Sequence, residues 1–215
     1  MDSKVYFITT ILKAHIAGLT TEQRQLDRIE EALVGYTTQL DQLKDTHQER
    51  RRKELHMLSD EFVRDEILTN GSPEHITCTK GCAHCCKQIV MVTQPEGERL
   101  FELANERGIP LDARRLERQA CQDDNGWLTL QGNDRNCPFL GSDNTCQVYD
   151  DRPLSCRKYF VVSDPALCDM QKYPSGQVRV CYSVNAEVLT TAAFTVLDSC
   201  SMAQALLAKL RREID

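Results

Sequence analysis

Four thiols fall within nine residues in Cys78-Thr79-Lys80-Gly81-Cys82-Ala83-His84-Cys85-Cys86, and Gly81 lets the backbone fold tightly between the first two. A second group follows: Cys137 ahead of Pro138-Phe139-Leu140, then Cys146, then Cys156 inside Arg152-Pro153-Leu154-Ser155-Cys156-Arg157, then Cys168. Thiolates at short spacings in turns offer soft ligands to zinc or iron, because one turn can aim two sulfurs at one point. The candidate metal ligands are therefore Cys78, Cys82, Cys85, Cys86, Cys137, Cys146, Cys156 and Cys168. On an extended backbone successive side chains point to opposite faces, so adjacent Cys85 and Cys86 are expected to serve different metals or different atoms of a cluster. Two mononuclear sites or a polynuclear iron–sulfur centre would follow. The vicinal pair tips the expectation toward iron or an iron–sulfur cluster, with Zn2+ as the alternative.

Around these sulfurs stand side chains with secondary roles. His84, between two candidate ligands, is expected to support the centre from the surface rather than bind it. Arg152 and Arg157 flank Cys156, where guanidinium groups would offset the negative charge of a thiolate centre. Tyr149 and Pro153 are expected to fix the turn that presents Cys146 and Cys156, and Trp127 to anchor a loop or the core. Cys121, Cys181 and Cys200 lie outside the pattern: Cys200 reads as a small core residue, and replacement of one of the eight by Cys181, on a strand, is the lesser alternative. No serine nucleophile elbow, phosphate-cradling glycine loop or His-Glu zinc-protease helix is present, and no catalytic group is identified.

Composition narrows the class. A chain of 215 residues with net charge −6 and pI near 5.4 has no basic footprint for nucleic acid. No run of about 20 apolar residues exists to span a membrane. Eleven cysteines is an odd count for a disulfide framework. The apolar run Val5–Leu12 is interrupted by threonines and preceded by Lys4 alone, which Asp2 offsets, so it makes a poor signal peptide. A reducing, cytoplasmic compartment and metal ligation are expected. Cys78-x3-Cys82-x2-Cys85 also matches the spacing with which radical enzymes hold a four-iron cluster and activate S-adenosylmethionine. Those enzymes need a large α/β barrel, and the residues after Cys85 show no strand–helix alternation to build one.

Taken together, Cys78-x2-Gly81-Cys82-x2-Cys85-Cys86, Cys137-Pro-Phe-Leu, Cys146-x-Val-Tyr149, Arg152-Pro153-x2-Cys156-Arg157 and Cys168 resemble the YkgJ-type cysteine-cluster family, described as a zinc- or iron-chelating domain. The resemblance covers about residues 76–170 and implies metal binding by the eight sulfurs. Many members place two residues between the first two cysteines, where this chain has three. Flagellin lysine methylase carries a similar cluster, so the resemblance also implies an alternative: a methyltransferase using S-adenosylmethionine.

The elements that must position the cluster read as mainly helical α+β: a small loop-rich cysteine domain with a long N-terminal helix or helical hairpin and a C-terminal helix. Residues 4–18 read as a short helix or strand. In residues 21–68, capped at Thr20 or Thr21, Leu26, Ile29, Leu33, Tyr36, Leu40 and Leu43 form a heptad seam that fades through Asp45–Glu54 and resumes with Leu55, Leu58 and Phe62, as one long helix or a hairpin broken near Gly35 or around Thr46. That seam either mediates a homodimer or another protein partner, or lies on its own domain. Arg50-Arg51-Arg52-Lys53, with acidic neighbours, reads as a solvated face. Asn70-Gly71-Ser72-Pro73 divides a helical region, 1–70, from the cysteine domain, 71–215. Gln88–Thr93 is β-like, and Pro95 opens a helix that Gly108 stops at 107. Pro110–Asp124 is a second helix, and residues 125–182 are turn-rich, with short strands at Gln147–Tyr149 and Val178–Cys181. A final helix, 186–212, is capped by Asn185.

Overall fold

The computed structural model describes residues 23–42, 47–70, 76–169, 172–173 and 178–214. The expected segment 4–18, the caps at Thr20 or Thr21 and Gly71-Ser72-Pro73 lie outside them. Among the described residues the chain forms eight helices and two two-stranded antiparallel sheets, the mainly helical α+β class expected.

Helices α1 (Gln23–Gln42) and α2 (Gln48–Asn70) flank the break expected around Thr46, while Gly35 sits inside α1. The seam residues Ile29, Leu33 and Leu40 are buried, together with Leu55 of α2, against Val188, Leu189, Ala192 and Ala193 of the later helix α7 (Val184–Val196). The heptad stripe is thus covered by its own chain. At about 1.5–3 kcal/mol per fully buried large aliphatic side chain, that burial holds the helical pair down. Arg51 and Arg52 are buried, against the expectation of a solvated basic face. Helical periodicity explains the split: Arg51, Arg52, Leu55, His56, Ser59 and Val63 share the face turned inward. Arg50 and Lys53 point outward and pair with Glu54 and Glu49.

Strand β1 (Met91–Thr93) runs straight into α3 (Gln94–Glu106), where Thr93 and Glu96 form a capping box and Pro95 opens the first turn. Gly108 ends it at φ +62°, in the left-handed region. The expected helix Pro110–Asp124 is shorter, α4 (Ala113–Ala120). Asp123 then caps a new one, α5 (Asp124–Thr129), which takes in the start of the stretch expected to be turn-rich. Gln147–Tyr149 is not a strand: Cys146 bridges Leu140 and a 3-10 turn follows at Tyr149–Asp151. After the one-turn helix α6 (Leu154–Arg157), β2 (Tyr159–Val161) pairs with β3 (Val180–Tyr182).

The C-terminal helix is two helices. Ser183, not Asn185, caps α7, and α8 (Met202–Ile214) begins after a break. Asp198 takes φ +52° there, and β4 (Ser199–Ser201) pairs with β1, setting Cys200 opposite Val92. Cys200 is therefore a half-buried strand residue rather than part of a helical stripe.

Two apolar cores result. One joins α1, α2 and α7 and includes Leu154; the other joins α3, α4 and α8 and includes Phe139 and Val148. Each of those three residues lies two positions from a candidate ligand: Cys156, Cys137 and Cys146. The cysteine loops hang from both cores.

Candidate metal centre

Local hydrogen bonds shape each cysteine segment. Thr77 bonds the Val161 carbonyl through both its N–H and its hydroxyl, and the Val161 N–H donates to Cys78 Sγ at 3.3 Å. Gly81 turns the chain at φ +90°, a conformation side chains rarely adopt, and the Cys82 N–H donates back to the Thr79 carbonyl. Cys85 and Cys86 lie on a 3-10 turn, His84–Lys87. Trp127, buried as expected, donates Nε1–H to the Lys87 carbonyl at 2.8 Å and anchors the end of that turn. The Cys137 N–H donates to the Cys86 carbonyl at 2.7 Å, tying the first cysteine group to the second. Cys156 sits on α6, and Cys168 ends a 3-10 turn, Pro165–Cys168, that packs on the His84–Lys87 turn.

The eight candidate sulfurs sense one another's charge, with Cys85 at the hub. Burial first, then neighbouring cysteines including Cys85, pushes Cys137 up to about 12 and Cys168 up to about 11. The same causes raise Cys78, Cys146 and, well above its ordinary value, Cys156. Cys82 enters through the repulsion it exerts on Cys78 and Cys168. Cys85 alone goes down, to about 6: the Cys86 thiol donates to it, with backbone N–H groups and the Arg152 charge assisting. Cys86 rises because it keeps the shared proton. Backbone N–H groups of Val161, Phe139 and Val148 point at Cys78, Cys137 and Cys146, an arrangement that favours thiolates. Cys156 has exposed surface although burial dominates its shift, which fits a thiol lining a recess.

The vicinal pair departs from expectation. Its backbone is a 3-10 turn rather than extended, so the alternation of an extended strand does not apply to the two thiols. The two arginines also part company. Arg152, stacked 4.0 Å from the Tyr149 ring centre, lowers Cys85 and Cys146 as expected. Arg157 is turned away instead, toward Asp60 at 2.7 Å and the carbonyls of Arg152 and Asp150. Arg107 and Arg115 act on Cys146 and Cys137, and sequence reasoning missed both because neither lies near a cysteine in the chain.

Cys181 and Cys200 stand apart: burial shifts both, and the only neighbouring charge acting on Cys181 is that of Glu66. Buried His84 Nδ1 has no hydrogen-bond partner, leaving a nitrogen donor open beside Cys85. Among the described residues, no three His, Cys, Asp or Glu side chains stand close enough to grip one ion. Zinc–sulfur bonds of about 2.3 Å bring ligating sulfurs to about 4 Å apart, so closing on an ion requires the loops to draw in. The donors fit the chemistry: clustered thiols, N–H groups aimed at them, and an orphaned imidazole nitrogen.

A loop-borne, cysteine-rich domain is the class this arrangement defines. Residues 77–173, which hold all eight sulfurs, match the model of the CxxCxxCC family, described as "Putative zinc- or iron-chelating domain". That cysteine-bearing segment is similar to the family that its residues resemble. No curated protein and no solved structure matches the chain.

Proposed function

We propose that Cys78, Cys82, Cys85, Cys86, Cys137, Cys146, Cys156 and Cys168 hold zinc or iron as thiolates, and that the chain is a non-catalytic cytoplasmic metalloprotein. The metal supplies cross-links among loops that have few large apolar residues of their own, and its loss or oxidation reports metal or redox state. One observation carries the reading. Burial and neighbouring cysteines raise the proton affinity of six thiols from separate segments, Cys78, Cys86, Cys137, Cys146, Cys156 and Cys168, around a lowered Cys85, while no cysteine acts on Cys181 or Cys200. A divalent cation relieves that repulsion. No observation favours the methyltransferase alternative.

Metal analysis of anaerobically purified protein is the test. Brown protein with visible charge-transfer absorption identifies iron–sulfur, and colourless protein containing zinc identifies mononuclear sites. Cys85→Ser and Cys86→Ser should each lower the metal content. Metal-free wild type, or full metal content in both variants, refutes the reading.

A further inference from the structure

Helix α2 lies outside the matched segment, yet it carries Arg52, His56 and Asp60 at spacings of four, one turn apart on one face. Arg52 Nη1 donates to Asp151 at 3.0 Å, and His56 Nε2 lies 2.9 Å from Glu96 Oε1. Asp60 accepts from Arg157 Nη1 at 2.7 Å. Arg52 and His56 are buried; Asp60 is partly open.

Two of the three contacts end on residues 150–157, and the third reaches that stretch through Glu96. Asp151 and Arg157 belong to that stretch. Glu96, itself buried, accepts the Leu154 N–H at 2.8 Å through the same oxygen that meets His56. Arg157 also donates to the carbonyls of Arg152, at 2.6 Å, and Asp150. The stretch presents Cys156 and Arg152, and it is a 3-10 turn followed by a one-turn helix, neither capped by a side chain. Uncapped single turns do not hold themselves, because their terminal N–H groups need partners from elsewhere. Glu96, faced by His56 of α2, takes the Leu154 N–H, and α2 grips the side chains of the stretch through Arg52 and Asp60.

We propose that Arg52, His56 and Asp60 are positioning residues for Cys156 and Arg152, so that metal capture and docking of helix 48–70 are coupled. This rests on the thiolate reading above. Because coupling between two binding events is reciprocal, a stripe that favours the ligating arrangement is itself held in place by bound metal. The matched segment is then completed by a helix from outside it.

The test uses the full chain loaded with Zn2+ alone. Asp60→Asn and His56→Gln are compared with Lys53→Ala, which removes an exposed pair of the same helix that does not touch residues 150–157. Zn2+ release to a chromogenic chelator is followed in variants whose circular dichroism matches wild type. Hydrogen exchange of residues 48–70 is measured with and without Zn2+. The stripe variants should release Zn2+ about 10-fold faster or more, the usual effect of removing a group that orients a ligand, while Lys53→Ala releases at the wild-type rate. Zn2+ should slow exchange across 48–70 in wild type, and less so in Asp60→Asn. If Asp60→Asn does not fold, Arg157→Lys, which keeps the charge and loses the forked contacts, takes its place. Unchanged release, or exchange of 48–70 indifferent to Zn2+, overturns the coupling. Wild-type protein that takes up neither Zn2+ nor Fe2+ overturns the metal reading itself.

Discussion

Metal affinity should rise steeply with pH, and the steepness should change where Cys85 titrates. With a pKa of about 6, Cys85 is a thiolate at pH 7, whereas Cys137 at about 12 and Cys168 at about 11 keep their protons. A four-thiolate site that includes Cys85 must therefore expel about three protons per metal at neutral pH, because only thiolates bind. The sign follows: affinity gains about three decades per pH unit above pH 6, and about four below it, where Cys85 must also be deprotonated. Zn2+ affinity measured against a competing chelator between pH 5 and 8, with proton release followed in weakly buffered solution, reads both slopes. In Cys85→Ser the break near pH 6 should vanish along with the tightest binding. A pH-independent affinity, or wild-type and Cys85→Ser curves of the same shape, would refute the placement of Cys85 at the centre of the cluster.

Three further outcomes follow from particular contacts. Arg152→Gln removes the guanidinium that lowers Cys85 and Cys146, so alkylation of the metal-free protein at Cys85 should slow at pH 7, and the metal-affinity curve should move to higher pH. Glu96→Gln removes the buried carboxylate that accepts from Thr93 and Leu154 and faces His56, at a cost of about 1.5–3 kcal/mol in denaturant unfolding. Burial pushes the Glu96 carboxyl up most strongly, but His56 and the N–H groups of Thr93 and Leu154 hold it below the ordinary carboxylate value. Its stabilisation is thus present at neutral pH and lost as pH falls through that lowered value, so the deficit of Glu96→Gln should shrink in acid. Cys181→Ser and Cys200→Ser should keep full metal content by elemental analysis, since neither thiol belongs to the cluster.

The sulfurs were legible from residue type and spacing, because a thiol in a tight turn has few other uses and the turn is written in its own glycine and proline. Capping signals were legible for the same local reason: Thr93, Pro95, Glu96 and Gly108 bound α3 where the sequence places it. The break between α7 and α8 was hidden, because Leu189 through Leu210 keep a helical period across it. Only the pairing of Ser199–Ser201 with Met91–Thr93, a partner more than 100 residues away, pulls that stretch out of helix. Cys85 and Cys86 were read on the wrong backbone, since adjacency alone does not say whether two side chains diverge or meet. The inward stripe of α2 was least visible: Arg52, His56 and Asp60 meet partners 99, 40 and 97 residues along the chain, so nothing near them marks their role. Local chemistry thus named the candidate ligands, while long-range packing decided which charges surround them and which helix contacts the turns that carry them.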